Sequence, residues 1–342
     1  SFLDLSGIVP DVGEGARVNL REAVTAYFRC GRGQDASMGV LVPDQIPAMA
    51  EKMALSRRFA AMGLDCYRAR LDPERESQSA AMTVDLGNGC LYLSFRGTDD
   101  TLVGWKEDFN MAFITPVPAQ REAAEYLERW APRLGNPLRV GGHSKGGNMA
   151  VYAAVHASPA VRGRLEAVYN NDGPGFCENA LDPAGYRAAS GKIRTFLPQN
   201  AVVGMLLDHQ ENYTVVRSTR QGLFQHDLFS WQVEGPDFVR LEEVSGASRF
   251  ASDALRRWVT GLSVEQRERF VDALFQVLEG PGALTVGELA QGGVRSAAAM
   301  LLQLRDMDEE TRRALFQVLG ALVKAAGRSA WDWISPLRLG GE

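Results

Sequence analysis

The chain has 342 residues, 45% of them hydrophobic and 23% charged, with a formal net charge of −5, an ordinary balance for a soluble globular protein with a substantial core. That charge offers no electrostatic case for nucleic acid, and no run reaches the ~20 apolar residues that a bilayer-spanning helix needs. Cys30, Cys66, Cys90 and Cys177 are scattered, with no CxxC and no metal-like pairing with the four histidines, so free thiols and no bound metal are expected.

The first residues, Ser1-Phe2-Leu3-Asp4, carry neither a basic stretch nor a long apolar core. A cytoplasmic location is the expectation, a removed signal peptide being the alternative. Up to about residue 75 the pattern is poorly resolved, with helices compatible with Leu20 to Cys30 and Ile46 to Met62. Gln78 to Leu86 and Cys90 to Phe95 read as adjacent strands joined by the hairpin turn Gly87-Asn88-Gly89. A helix over Ala119 to Trp130 leads through Pro132 and Gly135-Asn136-Pro137 into an apolar strand at Leu138-Arg139-Val140. Further strands are expected at Glu166 to Asn170, Ile193 to Leu197 and Tyr213 to Ser218, with an edge strand at Ser230-Trp231-Gln232-Val233. Strands alternating with helices predict an α/β fold, a mostly parallel sheet flanked by helices, with loops at the carboxyl ends of the strands available for a site.

Beyond about residue 245 the pattern is helical. Ser263-Val264-Glu265-Gln266 reads as a capping box, and Phe270, Val271, Leu274, Phe275 and Leu278 form an apolar stripe that stops at Gly280-Pro281. Ala273-Leu274-Phe275-Gln276-Val277-Leu278 recurs as Ala314-Leu315-Phe316-Gln317-Val318-Leu319; two copies do not make a solenoid. The division expected is an α/β domain over 1–244 and a helical subdomain or cap over 245–342.

The organising stretch is Gly142-His143-Ser144-Lys145-Gly146, a G-x-S-x-G pattern between a short strand and a small-residue helix start. Such a turn holds the serine in a strained conformation with its hydroxyl exposed. A plain glycine-rich turn is the competing reading. Together with Phe95-Arg96-Gly97-Thr98, Trp105 and Asp108, Asn171-Asp172-Gly173-Pro174-Gly175-Phe176 and Gln225-His226-Asp227, it makes an ordered set over roughly residues 80 to 235. On these motifs the chain resembles the class 3 lipase-like branch of the α/β-hydrolases, and more narrowly the bacterial Mbeg1-like proteins.

With Ser144 as nucleophile, the base must come from His143, His156, His209 or His226. His143 occupies the second motif position, where the side chain packs against the sheet, and His156 lies within the following helix. His226, late and in a loop, fits the order Ser, acid, His; His209 is the fallback, and a loop histidine bonded to Asp227 is the plain alternative. For the acid, the resemblance to class 3 lipases points to the position of Asn200, an asparagine here. Asp172 is preferred, followed by Asp208 and then Asn200; a turn aspartate is the plain role for Asp172. The resemblance implies an oxyanion hole of the Lys145 N–H and the N–H and hydroxyl of Thr98, with Asp108 supporting Thr98. The Lys145 amine is expected to be a solvated neighbour able to attract an anionic group.

No phosphate loop competes: Gly31-Arg32-Gly33 and Gly173-Pro174-Gly175 are short turns. The expected function is cofactor-free hydrolysis of carboxylic esters, lipid-like or hydrophobic by resemblance. Thioester, amide and acyl-transfer chemistry use the same machinery, and a non-catalytic scaffold binding a partner through its helical tail is the alternative class.

Overall fold

Leu91, Leu93 and Phe95 alternate with less buried Tyr92 and Ser94, and this period of two makes a strand that lies in the interior of a nine-stranded sheet. The structure is a computed structural model that describes residues 2–11, 16–32, 42–131, 137–246, 248–249, 261–307, 309 and 312–313. In chain order its strands are β1 (Val18–Asn19), β2 (Gly63–Asp72), β3 (Ser77–Asp85), β4 (Leu91–Phe95), β5 (Leu138–His143), β6 (Leu165–Asn171), β7 (Ile193–Pro198), β8 (Tyr213–Val216), β9 (Val233–Glu234), β10 (Asp237–Phe238) and β11 (Arg240–Leu241). The helices are α1 (Leu20–Arg29), α2 (Ile46–Leu55), α3 (Leu102–Asn110), α4 (Pro118–Trp130), α5 (Lys145–His156), α6 (Pro159–Arg164), α7 (Pro183–Ala189), α8 (Val264–Glu279) and α9 (Val286–Asp306).

The sheet order is β1-β2-β3-β4-β5-β6-β7-β8-β11. From β4 to β8 neighbours run parallel, while β1 to β4 are joined antiparallel and β11 closes the far edge antiparallel to β8. This is the expected α/β architecture, a sheet with a parallel run flanked by helices. Helices α4, α5 and α7 lie side by side, and Leu127, Met149, Ala153, Val140 and Val168 meet in the main core between helices and strands. Because α5 is buried from Lys145 to Val155, its alanines and glycines are what allow it so close to the strands.

Two sequence expectations need correction. The helix over Ile46 to Met62 ends at Leu55, and a ten-residue strand, β2, follows unforeseen. Its register shifts between Asp65 and Arg68, with Cys66 at φ 57°, and such a bulge breaks the alternation by which a strand is recognised. The edge strand expected at Ser230 to Val233 is not part of the main sheet: Trp231 makes one bridge to Ser218, Val233 begins a separate hairpin of β9 and β10, and β11 takes the edge.

Helix α8 starts at the Ser263 capping box, where the Ser263 hydroxyl accepts the Gln266 N–H and the Gln266 side chain accepts the Ser263 N–H. Its stripe of Phe270, Val271, Leu274 and Phe275 packs on Trp105, Phe109 and Phe113 of α3 and the turn after it. Asp100 accepts hydrogen bonds from the N–H groups of Val286 and Gly287, so the start of α9 is tied to the loop before α3. The second copy of the Ala-Leu-Phe-Gln-Val-Leu segment, and the turn from Pro132 to Asn136, lie outside the described residues. Among the described residues no helix is long and apolar enough to cross a membrane.

Candidate active site

Ser144 sits between β5 and α5 at φ 58° and ψ −134°, a left-handed backbone that a non-glycine residue adopts at a cost of ~1–3 kcal/mol. Its N–H is held by the carbonyl of Asn171 at 3.0 Å, and its side chain is half-buried. The small residues around it are required by close approach. A Cβ on Gly146 would lie 2.3 Å from the Phe95 carbonyl oxygen, and one on Gly97 2.5 Å from the His143 carbonyl oxygen and 3.1 Å from Ser144 Cβ. The loop Arg96-Gly97-Thr98 therefore runs directly against the serine turn.

That loop is fixed from two sides. Asp99 accepts from the Thr101 N–H and hydroxyl and pairs with Arg96 at 3.2 Å. The Thr98 hydroxyl donates to Asp108 Oδ2 at 2.5 Å, the short length of a bond to an ionised acceptor. Since a hydroxyl has a single hydrogen, the expected donation from the Thr98 hydroxyl to an oxyanion is already spent on Asp108, and of its two donors only the N–H remains a candidate.

The Lys145 side chain contradicts the expectation of a solvated amine: it is fully buried. Its ammonium donates to Glu107 Oε2 at 2.9 Å, the Gln78 carbonyl at 2.9 Å and Gln78 Oε1 at 3.0 Å. Glu107, also fully buried, accepts the N–H groups of Gln78 and Ala119 as well. One ion pair thus joins β3, α3 and the starts of α4 and α5 beneath the serine turn. Asp108 Oδ1 lies 3.9 Å from the ammonium. Burial pushes the Asp108 carboxyl up to about 6, against the lowering pull of Lys145 and the Thr98 bond.

On the other side of Ser144, β6 ends at Asn171 and the chain turns at Asp172, which has φ 51° and is fully buried. Asp172 Oδ2 accepts from His226 Nδ1 at 2.7 Å, and Oδ1 accepts the Gly204 N–H at 3.1 Å. His226 ends a single-turn helix, Gly222–His226, anchored by its neighbour: Gln225 Oε1 accepts the Asn200 N–H at 3.0 Å, and the Gln225 carbonyl accepts the Trp231 indole N–H at 2.8 Å. With Nδ1 committed to Asp172, Nε2 is the nitrogen available for proton transfer. Burial holds the His226 imidazole below its ordinary value and pushes the Asp172 carboxyl up, so the resting pair carries a neutral imidazole.

The other candidates are placed differently. His143 meets the candidate base itself: its Nε2–H donates to the His226 carbonyl at 2.7 Å, with the rings 4.3 Å apart, and burial and His226 keep it neutral. His156 stacks on Tyr152 at the end of α5. His209 has both ring nitrogens engaged, Nε2 with the Gly204 carbonyl at 2.6 Å and Nδ1 with Glu211 at 3.1 Å. Asn200 meets Gln225 through its backbone, and Asp208 pairs by its backbone with Phe176.

A sequence profile of the Mbeg1-like proteins matches residues 53–276, well over half of the chain. The chain belongs to the Mbeg1-like family. No curated protein matches it. Among solved structures, this Mbeg1-like chain is similar to a fungal lipase in complex with an inhibitor, with a TM-score of 0.32 and 16% identity over 45% of this chain and 67% of that one. The Rhizomucor miehei lipase propeptide complex aligns with a TM-score of 0.34 and 15% identity, over 59% of this chain and 66% of that one. The Mbeg1-like chain thus spans about two thirds of the length of these lipases.

Glu107, Gln78 and the Gly204 N–H are members of the candidate site that sequence reasoning missed. Glu107 stands next to Asp108 in Lys106-Glu107-Asp108, where two carboxylates beside a lysine read as a solvated helix face. Its burial follows only from the pairing of α3 with Lys145, 38 residues on.

Proposed function

We propose that this Mbeg1-like chain is a serine hydrolase that cleaves carboxylic esters through an acyl-enzyme. The observation that carries the reading is the buried Asp172–His226 pair at 2.7 Å, tied to the strained serine turn at both of its ends: Asn171, before Asp172, accepts the Ser144 N–H, and His143, before Ser144, donates to the His226 carbonyl. Ser144 Oγ attacks the ester carbonyl while His226 Nε2 takes its proton. Asp172 keeps Nδ1–H pointed at itself and stabilises the imidazolium. The Lys145 and Thr98 N–H groups donate to the oxyanion, and His226 returns its proton to the departing alkoxide. Water, activated by the same imidazole, then releases the acid. Phe224, Leu228 and Phe229, exposed around the His226 turn, favour a hydrophobic acyl or alcohol group. Residues 1–244 form the hydrolase portion in this reading, and the helices beyond 245 brace the oxyanion loop through α3.

A fluorophosphonate probe should label the wild-type protein and fail to label Ser144→Ala, with p-nitrophenyl ester turnover lost in the same variant. Absence of labelling, under conditions that label a control hydrolase, would replace the enzyme by a binding scaffold.

A further inference from the structure

The mechanism uses the backbone of Lys145 and leaves its side chain without a task, although burying an ammonium has a large desolvation cost. A leucine-like side chain would fill the same space without that cost. The three ammonium hydrogens go to Glu107 Oε2, the Gln78 carbonyl and Gln78 Oε1, which satisfies every donor. The charge itself reaches further. Asp108 Oδ1, 3.9 Å away, is sealed from solvent and accepts no hydrogen bond among the described residues, although the side chain as a whole keeps 29% exposure. Asp108 Oδ2 is the acceptor of the Thr98 hydroxyl.

We propose that the buried Lys145 ammonium is a positioning group for the oxyanion hole, holding Asp108 as a carboxylate so that Thr98 gives its hydroxyl hydrogen to Asp108 and keeps its N–H turned to the reacting oxygen. The proposal rests on the ester-hydrolase reading. One residue then serves the hole twice, by its own N–H and through its side chain.

The charges facing Asp108 set the direction. Lys145 from α5 favours the carboxylate, whereas Glu107 on the same helix and Asp99 from the loop before it oppose it, and burial opposes it most. If the ammonium were lost, only the Thr98 hydrogen bond would be left to offset the desolvation and the two opposing carboxylates. Asp108 would take up a proton and become a donor, and Thr98 would lose the acceptor that fixes its rotamer.

Lys145→Met alone strands the Glu107 carboxylate, so the informative variants are Glu107→Gln and the charge-neutral pair Lys145→Met with Glu107→Gln. Carbon-13 in the aspartate carboxyls, with the Asp108 signal assigned by Asp108→Asn, reports the protonation midpoint without any need for turnover. In Glu107→Gln the Asp108 midpoint should fall below the wild-type one, since an opposing carboxylate is gone. In the double variant it should rise by roughly 1 to 3 pH units above Glu107→Gln, the effect of an opposite charge at this range. The acidic limb of p-nitrophenyl ester kcat/KM should move with it, while a purely structural lysine would lower turnover equally at all pH. Equal Asp108 midpoints in the two variants, an unchanged midpoint in Glu107→Gln, or a limb that stays while the midpoint moves would each overturn the assignment. Lack of Ser144-dependent turnover in the wild type would instead remove the hydrolase reading, and the oxyanion role with it.

Discussion

Asp172→Asn is the most informative single change, because Gly204 dictates how the new amide must sit. Asp172 Oδ1 accepts the Gly204 N–H at 3.1 Å, so the asparagine oxygen must take that place, and its NH2 group is left facing His226 Nδ1. An NH2 donor there requires Nδ1 to be the acceptor, which moves the imidazole hydrogen to Nε2. The nitrogen that should take the Ser144 proton is then already protonated. The charge is lost as well: at 2.7 Å and an effective dielectric constant of ~20, a carboxylate stabilises an imidazolium by ~6 kcal/mol, or roughly four decades of rate. The amide dipole retains a part of this, so kcat should fall ~10³- to 10⁴-fold with KM little changed. Both partners of the side chain survive as hydrogen bonds, so the melting temperature should not drop. Initial rates with a p-nitrophenyl ester, beside a thermal melt, make the measurement. Asp172→Asn within tenfold of wild type, with Asp208→Asn or Asn200→Ala carrying the large loss, would refute the assignment.

As pH drops through about 6 the Asp108 carboxylate takes up a proton, and kcat/KM should fall with it; His226, held lower by burial, does not set this limb, while Asp172, also pushed up by burial, adds a separate one that Asp108→Asn leaves in place. Asp108→Asn should lower turnover above pH 6 and remove the Asp108 limb from the pH profile. Gly146→Ala places a Cβ 2.3 Å from the Phe95 carbonyl oxygen, a backbone atom that cannot turn aside, so urea unfolding should show a loss of ~1–3 kcal/mol or more. Phe275→Ala removes a 1%-exposed ring stacked edge-on with Phe109 of α3, and a loss of ~3–5 kcal/mol is expected in the same assay. Because α3 carries Asp108, kcat should fall with it; unchanged kcat would separate the C-terminal helices from the oxyanion loop.

The parts of this molecule that were legible in the sequence are those set by local pattern. The serine turn is one, since glycine at 146 and a strand-to-helix change are both written within a dozen residues. The β3–β4 hairpin is another, with Gly87 and Gly89 at φ 73° and 82° in its turn. What stayed open was decided by residues distant in sequence. Asp172 and Asn200 both follow parallel strands, β6 and β7; the carboxylate ranks Asp172 first, but nothing local shows which of them meets the histidine. The difference is that Asp172 takes φ 51° and faces inward to Gly204 and His226, 54 residues away, whereas Asn200 gives its N–H to Gln225. The burial of Lys145 likewise depends on distant residues. A lysine at the first position of a helix is expected in water, yet this one is enclosed because β3 brings Gln78 and α3 brings Glu107, 67 and 38 residues away, to the same point. A buried cation with all three hydrogens matched is a costly arrangement that the fold alone does not need, because an apolar side chain fills such a space at no desolvation cost. Its place directly beneath the serine turn, with its surplus field falling on the carboxylate that holds Thr98, makes the charge part of the site rather than of the core.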